Sequence, residues 1–157
     1  MKLLLMAVGP TTIPFVREGL DLYLGRLAHY LPVETRIIPD LRRKASLTPA
    51  QQKDAEGREI LAALTPADRV VLLDERGLQM SSVKFADWFD RQQASGARRL
   101  VFVVGGPYGF SQDVYSRADA KVSLSPMTFN HEMVRLFFAE QLYRAQTILR
   151  NEPYHHE

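Results

Sequence analysis

The chain has 157 residues, 46% of them apolar and 24% charged, the make-up of one soluble globular domain with a real core. It contains no cysteine, which excludes disulfides, thiolate metal sites and cysteine nucleophiles. A formal charge of +2, with a pI near 9.0, is a mild basic bias compatible with a polyanionic partner.

Residues 2–8 are a short apolar run that meets Gly9-Pro10 at once, which predicts a buried strand rather than a signal peptide. Thr11 or Thr12 is placed to cap a helix with Pro14 in its first turn, running to about His29 on the apolar positions Phe15, Leu20, Leu24 and Leu27. Val33 to Ile38 predicts a second strand, and the basic stretch 42–46 a flexible loop. Thr48-Pro49 opens a helix to about Leu64, and 69–73 is the next strand, ending at Leu73-Asp74-Glu75-Arg76-Gly77. Ser81 or Ser82 caps a helix to about Gln93, closed by Gly96. Strand 99–104, a Gly105-Gly106 loop, a short helix at 112–117 and strand 120–124 follow. The last helix runs from about His131 to Arg150, with Asn130 as cap and Glu132 in its first turn. No segment is long enough to span a bilayer. Alternating strands and helices predict a single α/β domain, its mostly parallel sheet covered by helices on both faces.

In such a sheet the loops 73–77, 105–110 and 123–129 all lie at the carboxyl edge. Glycines 105 and 106 allow backbone to approach a ligand, and Leu73, Leu124 and Met127 can wall an adenine. The alternative is a plain turn and a helix approach. No Gly-Lys-Ser/Thr follows the glycines, so this is not a phosphate-binding Walker loop. Their spacing and late position are also wrong for a Rossmann fingerprint. The last helix carries apolar residues over more than one stripe, from Met133 and Val134 through Phe137 and Phe138 to Leu149, which predicts burial in the core or against a second subunit. The tail from Glu152 to Glu157 holds Tyr154, His155 and His156 after a helix-stopping proline. It is either a frayed end or a segment that closes over a ligand or stacks on a base.

Together, Val103-Val104-Gly105-Gly106-Pro107-Tyr108-Gly109, Leu124-Ser125-Pro126-Met127-Thr128-Phe129, His131 with Arg135, Glu140 to Ala145, and Tyr154-His155 resemble the RlmH (YbeA) family. Those proteins are SPOUT-class methyltransferases of bacterial large-subunit ribosomal RNA. The resemblance spans the chain, including Met1-Lys2-Leu3, Ala7-Val8-Gly9 and Glu56-Gly57; Asn130 stands where the family pattern has proline before the histidine. It implies a trefoil knot in the C-terminal part, a cytoplasmic homodimer, and S-adenosyl-L-methionine bound by Leu73, Gly105 and Leu124, Ser125, Pro126, Met127, Thr128 and Phe129. The implied reaction methylates N3 of a pseudouridine in 23S rRNA of the assembled ribosome, without metal or membrane. An imide nitrogen is a weak acid, so the protein must help remove its proton or stabilise the developing anion. Arg135 and Arg144 can supply charge, and His131, Tyr154 or His155 can take or relay the proton. Zero cysteines exclude a cysteine-nucleophile C5 methyltransferase and a cysteine-ligated iron–sulfur radical enzyme. Two other classes stand beside this one: a nucleotide-cofactor oxidoreductase, separated by NAD binding, and a non-catalytic ribosome-binding module, separated by the absence of methyl transfer.

Overall fold

The computed structural model describes residues 1–41 and 46–157. The basic loop expected at 42–46 therefore falls, but for Ser46, outside the described residues. Five strands, β1 (Lys2–Val8), β2 (Val33–Ile38), β3 (Arg69–Gln79), β4 (Arg99–Val104) and β5 (Ala120–Ser123), form one parallel sheet in the order β2-β1-β4-β3-β5. The helices are α1 (Pro14–Leu27), α2 (Pro49–Ala62), α3 (Ser82–Gln93), α4 (Gln112–Arg117) and α5 (Met133–Leu149).

Successive side chains of a strand point to opposite faces, and here both faces are apolar. Leu3, Leu5, Ala7, Val71, Leu100 and Phe102 pack under α1, α3 and α5 with Leu20, Leu27, Phe85, Phe89, Phe138 and Leu142. Leu4, Met6, Val70, Leu72, Val101 and Val103 pack on the other face with Ile60 of α2, Phe110 and Val114 of α4. The expected two-sided covering is what the chain forms. Registers pair Ala7 and Leu73 with Val104, and Leu73 with Val122, so four strands end at one edge.

Local signals place most helix starts. Thr48 Oγ1 accepts the Gln51 N–H while the Gln51 side chain accepts the Thr48 N–H, a reciprocal capping box. Ser81, rather than Ser82, caps α3, and Ser111 caps α4.

Three expectations need correction. Neither Thr11 nor Thr12 caps α1: its cap position is Ile13, which offers no side-chain acceptor. Within that helix Phe15 is 63% exposed, and Val16 takes the buried place expected of it. Finally, β3 continues six residues beyond Leu73, to Gln79. Both Leu73 and Leu78 are opposite Val122, so residues 74–77 bulge out between two pairings with the same strand. That stretch is polar and carries no alternation, because its pairing rests on β5 and not on burial. Elsewhere the boundaries shift by two residues or fewer.

The bulge returns to β5 through Gly77, where a Cβ would lie 2.6 Å from the Val122 nitrogen and 2.7 Å from the Lys121 carbonyl carbon. Both neighbours are backbone and cannot rotate aside. Gly77→Ala is therefore expected to destabilise the protein by about 2 kcal/mol, within the range for overpacking a close-packed site. Gly25→Ala, a helix position with nothing within 4 Å of the added carbon, is expected to stabilise it slightly. Urea unfolding of the two variants checks both signs.

Candidate functional site

At the shared carboxyl edge the three loops enclose a cleft of about 540 Å³, a size suited to a nucleotide-sized ligand. From the end of β3 come Leu73, Asp74, Glu75 and Arg76. Asp74 is held twice: Oδ1 accepts the Arg76 N–H at 2.8 Å, and Oδ2 accepts the Tyr115 hydroxyl. Burial, with the Asp74 carboxylate second, pushes the Tyr115 hydroxyl up to about 12, so it stays a proton donor to Asp74.

From the end of β4 come Gly105 to Phe110. A Cβ at Gly105 would lie 3.0 Å from the Phe110 ring, and one at Gly106 would lie 2.7 Å from Glu56 Oε2. The loop closes through Gly109, at φ 78°, whose N–H donates to Gly106 O at 3.1 Å. Glycine is thus needed here by close packing from below as well as for access from above. Glu56 is buried in α2 and accepts from Gln52 at 3.0 Å; Lys53, on the same helix, reaches the cleft wall.

The loop after β5 is stiffened by its own hydroxyls. Ser123 Oγ donates to Ser125 O at 2.9 Å, and Ser125 Oγ accepts the Met127 N–H at 3.0 Å. Thr128 Oγ1 donates to Glu75 at 3.3 Å, which ties this loop to the β3 bulge. Leu124, Ser125, Met127, Thr128 and Phe129 line the cleft, whereas Pro126 belongs to the loop but not to the lining. Seven of the eight residues expected to hold a cofactor, Leu73 and Gly105 included, therefore share one cavity wall.

His131 also lines the cleft. The cap position of α5 is Glu132 and not the expected Asn130, which lies three residues ahead of Met133 and accepts the N–H groups of Glu132 and Met133 at 2.9 and 3.2 Å in a turn before the regular helix. Glu132 does more than complement the α5 dipole. Its Oε1 accepts the Thr12 and Ile13 N–H groups at 2.6 and 2.9 Å, and its Oε2 the Thr12 hydroxyl at 2.8 Å. Arg135 is only 1% exposed and is absent from the cleft wall. It donates to the carbonyls of Val8, Gly9 and His131 and to the Thr11 hydroxyl, at 2.8 to 3.2 Å. A guanidinium whose hydrogen bonds end on main chain at the far side of the loop holds structure together.

Arg144, Tyr154 and His155 gather elsewhere, around Glu140. Glu140 Oε1 accepts from Arg144 Nη2 at 2.5 Å and from the Tyr154 hydroxyl at 2.9 Å, and Arg144 Nη1 meets His155 Nδ1 at 3.1 Å. The Arg144 guanidinium lies 4.8 Å over the Tyr154 ring, which also packs edge-on against Tyr143. The tail is therefore docked, not frayed. Glu140 and Phe137 line a smaller cavity of about 370 Å³ that shares Val122, Ser123, Leu124 and Phe129 with the cleft. The i, i+4 spacing of Glu140 and Arg144 is a local sequence signal of this pair. Asp74 belongs to the 73–77 loop expected at this edge, whereas Tyr115, Lys53 and Glu132 carry no local signal of a place in or beside the site.

A family model described as Predicted SPOUT methyltransferase matches residues 1–155. The chain is 52% identical, over 100% of both chains, to a protein of Porphyromonas gingivalis named Ribosomal RNA large subunit methyltransferase H. Proteins of the same name from Parabacteroides distasonis and Bacteroides fragilis are 51% and 50% identical over the same full span.

The Glu132 carboxyl gives the site a pH signature. Burial works to raise its pKa, but the N–H groups and hydroxyl of Ile13 and Thr12, with Arg135, outweigh burial and hold it below the usual glutamate range. A depressed folded pKa contributes stability that is complete above the unfolded value and is lost as pH falls through the folded one. Wild type should therefore exceed Glu132→Gln in stability at neutral pH, and the gap should close as the solution is acidified past the glutamate range. Urea unfolding of both proteins across that range measures the gap; one independent of pH would contradict the assignment.

Proposed function

The chain belongs to the SPOUT methyltransferase family, and from that premise we infer that it transfers a methyl group from S-adenosyl-L-methionine to 23S ribosomal RNA. The observation that carries the cofactor assignment is the cleft itself, whose wall is built from backbone-rich loops at three strand ends. Gly105 and Gly106 leave it without side chains where a ligand must come close. Leu73, Leu124 and Phe129 offer apolar walls, and Asp74, Ser125 and Thr128 offer polar contacts. These groups fit a nucleoside with a charged tail. When bound, the cofactor supplies an activated methyl carbon, so the protein's task is to position the acceptor, exclude water and handle a proton.

The acceptor is N3 of a pseudouridine. His131, on the cleft wall, is the group nearest to hand for its proton. Arg144, Tyr154 and His155 form the second half of the catalytic set. The Glu140 carboxylate keeps the Arg144 guanidinium charged, and burial, with the Tyr23 and Glu140 contacts, keeps the Tyr154 hydroxyl protonated. His155 Nε2 is, among the described residues, the one buried side-chain polar atom without a hydrogen-bond partner, so it is left with an unmet need for one.

The working unit in this reading is a homodimer acting on assembled ribosomes in the cytoplasm. Phe137 on α5 and Met127 in the cofactor loop are 43% and 75% exposed, an apolar surface for a second copy. In this reading the C-terminal segment is threaded into a trefoil knot, as the family resemblance implies.

Tritium transfer from labelled S-adenosylmethionine to ribosomes lacking this modification tests the activity, and its absence would sink the reading. Gly105→Val should lose cofactor binding by calorimetry together with some stability, because its side chain presses on the Phe110 ring under the loop and displaces the cleft wall; near-normal affinity in this variant would mean the cofactor lies elsewhere. Deleting Tyr154 to Glu157 should leave cofactor affinity nearly intact and cut transfer by about 3 kcal/mol or more in transition-state stabilisation. Equal loss of both would make the tail structural.

A further inference from the structure

Between Ser123, at the end of β5, and the start of α5, the loop that lines the cleft must cross from one edge of the sheet towards its centre. Its own hydroxyl contacts stiffen its first half, and Thr128 leans on Glu75. Its far end is fixed by Glu132 and Arg135. The carboxylate takes N–H and hydroxyl donors from Thr12 and Ile13, and the guanidinium gives to the carbonyls of Val8 and Gly9 and the Thr11 hydroxyl. Two side chains of opposite charge, one helical turn apart, thus grip both kinds of main-chain group in residues 8–13.

The Arg135 Nε also donates to the His131 carbonyl at 3.2 Å, so the grip continues into the last loop residue on the cleft wall. A buried guanidinium is costly to desolvate unless its donors find partners, and here they end on Val8 O, Gly9 O, Thr11 Oγ1 and His131 O. Directional anchoring of a loop is something that only a fork of donors can provide.

Resting on the methyltransferase reading above, we propose that Glu132 and Arg135 are positioning residues that hold the 124–131 loop in its cofactor-binding shape by clamping it to the β1–α1 turn. They act through the loop, so cofactor affinity, not the methyl-transfer step, registers their loss.

The test compares Glu132→Gln, Arg135→Lys and Thr12→Val with Asp68→Asn. The last breaks the buried ion pair between Asp68 and Arg99, 2.5 Å apart at the opposite edge of the sheet, and serves as a control for lost stability alone. Thr12→Val removes a single clamp contact, so it keeps the test open if the charged variants fail to fold. Calorimetry gives S-adenosylmethionine affinity, and single-turnover transfer to ribosomes at saturating cofactor gives the chemical step. The expected result is an affinity about tenfold weaker in Glu132→Gln and Arg135→Lys, about 1.4 kcal/mol each, and a smaller loss in Thr12→Val. Transfer at saturation stays near wild type, and Asp68→Asn lowers the melting temperature with unchanged affinity. Normal affinity in the folded clamp variants would overturn the proposal, as would an equal loss in Asp68→Asn or slow transfer at saturation with affinity retained. Wild type is measured first: if it neither binds nor transfers, the methyltransferase reading fails, which is a different outcome from failure of the clamp.

Discussion

The constraint on which this structure depends is the burial of β1, β4 and β3 on both faces. A strand enclosed from both sides cannot present a functional group along its length without leaving it unsolvated, so polar chemistry is pushed to the strand ends. With all strands parallel, one edge gathers the carboxyl ends of β1, β3, β4 and β5. The cleft forms where those ends give way to loops, and the sheet above it supplies rigidity that the loops themselves lack.

Onto this frame α5 adds a second layer of order. On its face of the sheet it links distant parts of the chain: its start grips the β1–α1 turn, its middle packs Phe138 against Phe102 and Phe85, and its end carries the Glu140-centred cluster that docks the tail. Its charged residues, Glu132, Arg135, Glu140 and Arg144, each hold some distant piece of chain. A helix with apolar residues on most sides and charges engaged at both ends behaves as a spine, not as a surface layer.

This division explains what could be read from the sequence. Strands at 2–8, 33–38 and 99–104, and the helix starts at Thr48 and Ser81, are legible because each is decided by neighbours within a few residues: a run of buried side chains, or a hydroxyl three positions before an N–H. The convergence of the cleft loops followed from parallel topology, and the residues assigned to a cofactor came from family resemblance laid over it. What escaped is non-local. The 74–79 extension is polar and pairs only because β5 returns beside it. Thr11 and Thr12 look like caps, yet Thr12, with Ile13, donates to the Glu132 carboxylate just ahead of the helix. Arg135 looks like a reacting charge on a helix start, and only the fold reveals that its partners include the carbonyls of Val8 and Gly9. No window of sequence contains both halves of these contacts.

The carboxylate that holds the approach to α1 has a consequence for how the molecule breathes. α1 closes its own first turn, the Arg17 N–H donating to Ile13 O at 3.0 Å, but the two N–H groups just before Pro14, those of Thr12 and Ile13, end on the Glu132 carboxylate. Whenever the start of α5 lifts, the β1–α1 turn loses its anchors in the same event. The two segments therefore open together, and the Thr12 and Ile13 amide protons should exchange with solvent at the pace of α5 undocking rather than of local fraying.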